Sequence, residues 1–145
     1  MTAEEPLAHT SHTNITLDQL GEMQPGLARL MAEVSDRYWI LYYAAQGGNW
    51  KLAALQSSEL EKALKIGIVT RPKYKAHLEA FSKGPLMAIN KSIEERDWDA
   101  FESAYTNGIK SANAYHQVWN HEEIVWQLPN EPPKHLKLSA TDKNK

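Results

Sequence analysis

Residues 97–129 read DWDAFESAYTNGIKSANAYHQVWNHEEIVWQLP, and one helical stripe runs through most of them. Trp98, Phe101, Tyr105, Gly108, Ala112, Tyr115 and Trp119 recur at three- and four-residue steps, the spacing that puts side chains on one face of an α-helix. Asp97 suits the N-cap, and Asp99 and Glu102 suit the positive end of the helix dipole. A helix with one apolar face is stable only when that face is covered, so this stretch constrains how the rest of the chain packs. Gly108 in mid-helix costs about 1 kcal/mol relative to alanine, which marks the close approach of another helix or of a bound plane. One histidine, His116, sits on the apolar side, and the chain then leaves through a Trp- and Pro-rich segment.

Three further helices fit the pattern before it. The first is expected over 24–46, with Pro25 in its first turn, and Leu27, Leu30, Met31, Val34, Tyr38, Leu41, Tyr42 and Ala45 as its inner stripe. Its second half also places Trp39, Ile40 and Tyr43 on the opposite face. A helix that is apolar all round needs two partners, and either a covering terminal segment or a homodimer interface through these three residues supplies the second. Gly47-Gly48 ends the helix, and Asn49 caps the next, expected over 50–66 with Ala53, Leu60 and Leu64 inward. Glu59 and Glu61 read as solvated. After a connection over 67–72, where Pro72 disfavours helix at Arg71, a third helix is expected over 73–95. Tyr74, His77 or Leu78, Phe81, Ala88, Ile89 and Ile93 face inward, with a kink at Gly84-Pro85. Short connections favour antiparallel neighbours. The fold class is therefore all-α: an antiparallel up-down-up-down four-helix bundle over 16–133. Residues 1–15 are expected to be disordered and 134–145 to form a flexible tail.

At 145 residues the chain is long enough for one substantial core. A net charge of −2 offers no clustered basic footprint for nucleic acid, and no run approaches the ~18 apolar residues of a membrane span. There are no cysteines, which excludes disulfides, thiolate chemistry, cysteine-ligated zinc, iron–sulfur clusters and thioether-linked haem. The first residues lack the basic and apolar regions of a signal peptide. That points to the cytoplasm, or to the periplasm if Met1 replaces a removed signal.

Few residues offer chemistry. No Glu-x-x-His occurs anywhere, so a di-iron bundle site is out, and neither a phosphate loop nor a zinc-protease motif is present. His9 and His12 share a helical spacing but lie where no helix is expected. His77 reads as a boundary residue, and His121 points away from His116 on a helix. No acid–base pair suggests an enzyme. There remains His116, flanked by Tyr105, Tyr115 and Trp119: an imidazole among aromatic rings suits a flat apolar cofactor, and neutral imidazole is a good axial ligand for haem iron.

The segment Ala112-Asn113-Ala114-Tyr115-His116 resembles the Cys-Asn-Ala-Cys-His of small bacterial haem proteins related to cytochrome c′, four-helix bundles whose last helix carries that motif. The run GGNWKLAALQSSEL at 47–60 is similar to the Gly-Asn-Trp-x-Leu-Ala…Glu-Leu segment between that family's first two helices, and the likeness covers roughly 27–133. It implies the same fold, with His116 at the proximal-ligand position. Ala112 and Tyr115 would stand at the two thioether positions, so haem c is excluded. Arg37-Tyr38 would stand where relatives have a histidine pair. Two functions follow. One is a ligand-binding bundle holding non-covalent haem b or another flat molecule, with His116 as the metal ligand and Tyr38 or Arg37 on the distal side. The other is a cofactor-free dimeric interaction protein whose former pocket is filled by Tyr105, Tyr115 and Trp119.

Overall fold

The computed structural model describes residues 4–140. Helices account for most of the chain: α1 (Leu17–Glu22), α2 (Leu27–Gln46), α3 (Trp50–Thr70), α4 (Lys75–Phe81), α5 (Met87–Glu95) and α6 (Trp98–Val118). Two short strands, β1 (Leu7–His9) and β2 (Asn14–Thr16), pair antiparallel as a hairpin. No helix among the described residues is long and apolar enough to cross a membrane.

The helix boundaries follow the local signals. Asn49 accepts a hydrogen bond from the Leu52 N–H at 3.1 Å and starts α3, and Asp97 accepts one from Ala100 N–H at 3.0 Å and starts α6. Gly48 takes the left-handed conformation, φ 73°, at the end of α2. Pro25, however, lies outside the helix, because Gly26 is the N-cap and α2 begins at Leu27. Helix α3 also runs on through Gly67 to Thr70. Buried Gly67 continues it because a side chain there would press on Leu27, Leu30 and Leu78. Packing outweighs the propensity cost.

The proline at position 85 does not break its helix. Between α4 and α5, residues Ser82–Leu86 widen into a π turn, which absorbs the missing N–H and the ring within a continuous column. At the other end of that column Arg96 adopts φ 53°, and the Asp97 N–H returns to Ser92 O at 3.0 Å. This tight stop turns the chain directly into α6.

The interior is a single apolar cluster. Leu30, Val34, Tyr38 and Leu41 from α2 meet Leu60 and Leu64 from α3, Leu86, Ile89 and Ile93 from the π turn and α5, and Phe101, Tyr105 and Ala112 from α6. Helices α2 and α3 pack along their length, and α6 touches α2, α4, α5 and the π turn. Gly67, near the end of α3, faces Leu27 and Leu30 at the start of α2, so these two run antiparallel. Tyr42 meets Trp98 while Tyr38 meets Tyr105, so α6 is also antiparallel to α2.

Both ends of the chain depart from expectation. Within residues 1–15, expected to be disordered, the described part forms the hairpin. It leads into α1 through a capping box between Thr16 and Gln19. Its stability is local: the turn closes on Thr10 and Thr13, which bond each other, a signal carried by no hydrophobic period. After α6 the chain doubles back as an irregular strap. The Trp39 indole donates to Glu131 O at 2.7 Å, and the Tyr43 hydroxyl to Pro129 O at 3.1 Å. Further on, the Ala140 N–H reaches Gly47 O at 3.3 Å, and Ser139 bridges Gly48. The aromatic face assigned to a homodimer is thus covered in cis, because indole and phenol donors meet carbonyls of the chain's own irregular segment. Of residues 134–145, expected to be a flexible tail, 138–140 dock on the α2–α3 turn, 134–137 are exposed, and 141–145 lie outside the described residues.

Candidate functional site

A cleft of about 600 Å³ opens between the first half of α2, the 71–81 stretch, the end of α6 and the strap. Its floor is apolar: Leu27, Met31, Val34, Leu64, Leu78, Phe81 and Ala112. Its walls are aromatic: Tyr74, Tyr115, Trp119 and Trp126. Imidazoles of His77, His116 and His121 complete it, with Arg71 and Lys73 among the lining residues. The volume is that of a small-molecule site, and such sites combine an apolar lining with a few placed polar groups.

The hydrogen bonds assign the histidine tautomers. The His116 Nδ1 lies 2.9 Å from Ile124 O. A carbonyl only accepts, so Nδ1 carries the proton and the neutral ring keeps its lone pair on Nε2. His77 is the reverse case. Its Nδ1 receives the Trp119 indole N–H at 2.8 Å, and indole only donates, so the His77 proton is on Nε2. His77 thus accepts through Nδ1 and carries its N–H at Nε2, whereas His116 donates through Nδ1 and keeps at Nε2 a lone pair that can serve as a base or a metal ligand. The His121 Nδ1 donates to Glu123 at 3.0 Å, a bond that holds the Glu123 carboxyl below its ordinary pKa.

The strap is what finishes the site. The Trp126 N–H donates to Asn113 Oδ1 at 2.7 Å and the Asn113 amide donates to Trp126 O at 2.8 Å. This two-way bond fixes the strap against α6 two residues after the Ile124 carbonyl that meets His116. The Trp126 ring then stands edge-on to His116, centroids 6.2 Å apart, and 5.0 Å from Tyr38.

Of the residues proposed from sequence, Ala112, Tyr115, His116 and Trp119 line this cleft. Tyr105, Tyr38 and Arg37 do not. Tyr38 and Tyr105 lie deeper, stacked at 4.1 Å, with both hydroxyls used inside the core, and burial pushes both phenols well above the ordinary tyrosine range. Arg37 pairs with Glu33, one turn earlier on α2, at 2.9 Å, and reaches across to α3, where it donates to Gln56 Oε1 at 3.0 Å. One residue along a helix is about 100° of rotation, enough to take Arg37 off the face that Val34 and Tyr38 share. His77, read from sequence as a boundary residue, is a cleft residue. It stacks on Tyr115 with centroids 4.6 Å apart, and its signal was the Tyr74, His77, Phe81 spacing. Trp126 and Ile124 reach the site through the strap, which has no periodicity to announce them.

Among the described residues no group of three or more His, Cys, Asp or Glu side chains is placed to hold a metal ion. No protein-family model matches the chain, and no curated protein or solved structure matches it either.

Proposed function

We propose that this protein binds a flat apolar ligand in the cleft, and that non-covalent haem b is the ligand its donor set fits, with the His116 Nε2 as proximal ligand. The observation that carries this reading is the His116 to Ile124 hydrogen bond at 2.9 Å. A backbone carbonyl on Nδ1 orients the ring and raises the basicity of Nε2, as outer-shell partners do in metal-binding histidines. Tyr115 and Trp119 would flank the macrocycle, and Ala112 leaves room beside it. Bound haem would supply an iron centre able to take up small molecules. In this reading the helical columns α2, α3, α4–α5 and α6 make an up-down-up-down bundle derived from a cytochrome c′-like ancestor. Arg37 and Tyr38 have no distal role in it. The reading is of binding rather than of catalysis.

Haemin titration of the purified protein, read by absorbance in ferric and dithionite-reduced forms, tests this directly. One saturating Soret band per chain that is lost in His116→Ala supports it. A titration identical to haemin in buffer removes haem. The stacked Tyr38–Tyr105 pair, which fills the space between α2 and α6, favours the second reading in that event: a cofactor-free interaction protein.

A further inference from the structure

None of the residues lining the cleft is Asp or Glu, while Arg71 and Lys73 both line it. Six basic side chains on the helices, Arg37, Lys62, Lys65, Lys75, Lys83 and Lys91, each have a glutamate within 4.0 Å, whereas Arg29, Lys51 and Lys110 have none among the described residues and do not line the cleft. Arg71 and Lys73 form no ion pair among the described residues. Arg71 is held in place all the same. Pro72 forces it out of helical geometry, to φ −136° and ψ 70°. One guanidinium nitrogen donates to Thr70 O at 2.7 Å. Another lies so close to Gly26 that a side chain there would sit 3.2 Å from it. The guanidinium is therefore parked at the start of α2, where Leu27 and Ala28 line the cleft and Gly26 supplies no side-chain cap. The positive end of a 20-residue helix adds to the guanidinium charge there. Lys73 stands 4.8 Å over the Tyr74 ring.

A positive corner without a counter-charge, at one end of an apolar aromatic cleft, defines a ligand class. We propose that the cleft takes an apolar acid, whose carboxylate is held by Arg71 and Lys73 while its body lies along Met31, Tyr74, Leu78 and Tyr115. This rests on the cleft being a ligand site but not on the ligand being haem. A haem propionate, a free aromatic acid and a fatty acid share this chemistry. The planar guanidinium fork suits a carboxylate better than a neutral group.

Two fluorophores with the same rings separate charge from apolarity: 1-anilinonaphthalene-8-sulfonate, whose sulfonate stands in for a carboxylate, and the neutral N-phenyl-1-naphthylamine. Titrated into the full chain, the anionic probe is expected to saturate at one site and to bind about tenfold or more weaker in R71Q/K73Q, with the neutral probe unaffected by the variant. K73Q alone, at an exposed position, keeps the fold and shows part of the loss. Equal affinity for both probes in the native protein, or an anionic affinity unchanged in both variants, overturns the proposal. Displacement of the probe by naphthoate against laurate distinguishes a flat acid from a fatty one. Haemin and its dimethyl ester form the parallel arm. If neither binds while the anionic probe depends on Arg71, haem falls and the acid site stands. If both bind equally and R71Q changes nothing, haem stands and the acid site falls.

Discussion

Tyr38 and Tyr105 each donate a hydroxyl to the other's backbone carbonyl, at 2.7 and 2.8 Å, while their rings stack at 4.1 Å and 15°. Two phenols that would otherwise be buried without partners thus satisfy one another, and they lock α2 to α6 at one level. Gly108 is the third member, since a side chain there would overlap the Tyr38 hydroxyl. The glycine expected to mark a close approach does so, against a tyrosine of α2 and not against a bound plane.

That contact predicts a coupling. Gly108→Ala should destabilise by about 1–3 kcal/mol through overpacking, despite a propensity gain of about 1 kcal/mol. Tyr38→Phe should cost about 1–2 kcal/mol for the lost buried hydrogen bond. In the double variant the clash is relieved, so the cost of alanine should be at least about 1 kcal/mol smaller than in the native background. Urea unfolding of the four proteins measures this, and strict additivity would show that the two positions do not meet.

The same pair predicts an alkaline limit on stability. Burial raises both phenol pKa values in the folded state above the ordinary value of 10.0. The unfolded chain releases those protons once the pH passes that ordinary value, and the folded chain does not. The stabilisation is therefore complete below about pH 10 and falls above it, by about 1.4 kcal/mol per pH unit for each phenol. Unfolding midpoints from pH 8 to 11.5 should bend downward near 10, and the bend should be shallower in Y38F/Y105F. An identical bend in that variant would assign it to other groups.

The strap predicts different effects at its two ends. Asn113→Ala removes both bonds to Trp126 and should weaken strap docking by about 1–3 kcal/mol. Hydrogen exchange over 124–128 should speed up, and haemin or anionic-probe affinity should drop with it, because Ile124 no longer fixes His116. Gly47→Ala should leave the cleft alone. Position 47 has φ −78°, which alanine accepts, but its side chain would sit 2.7 Å from Leu138 O. Trypsin cleavage after Lys134 and Lys137 should therefore accelerate in that variant only. Equal cleavage in native protein and variant would mean that residues 138–140 are not held on the α2–α3 turn.

Much of the fold was legible because it rests on local rules. The stripe through Leu30, Val34, Tyr38 and Leu41 is a helical period, and Asn49 and Asp97 are caps recognisable from neighbours in sequence. Tyr115, His116 and Trp119 line the cleft together for the same reason: they share a helix face. The hairpin and α1 were not legible, since their signals are turn and cap hydrogen bonds without a hydrophobic repeat.

The sequence by itself determined where α3 and α6 start and which faces α2, α3 and α6 bury. Only the tertiary structure decided what each apolar residue is buried against. Tyr38 and Tyr105 satisfy each other instead of lining a cavity, Arg37 turns to Gln56, and His77 crosses from another helix to stack on Tyr115. The strap, a segment with no period of its own, covers Trp39 and Tyr43 and assigns the His116 tautomer. Periodicity reports a face. Partners are chosen by hydrogen bonds and contacts between residues far apart in the chain, which no local pattern encodes.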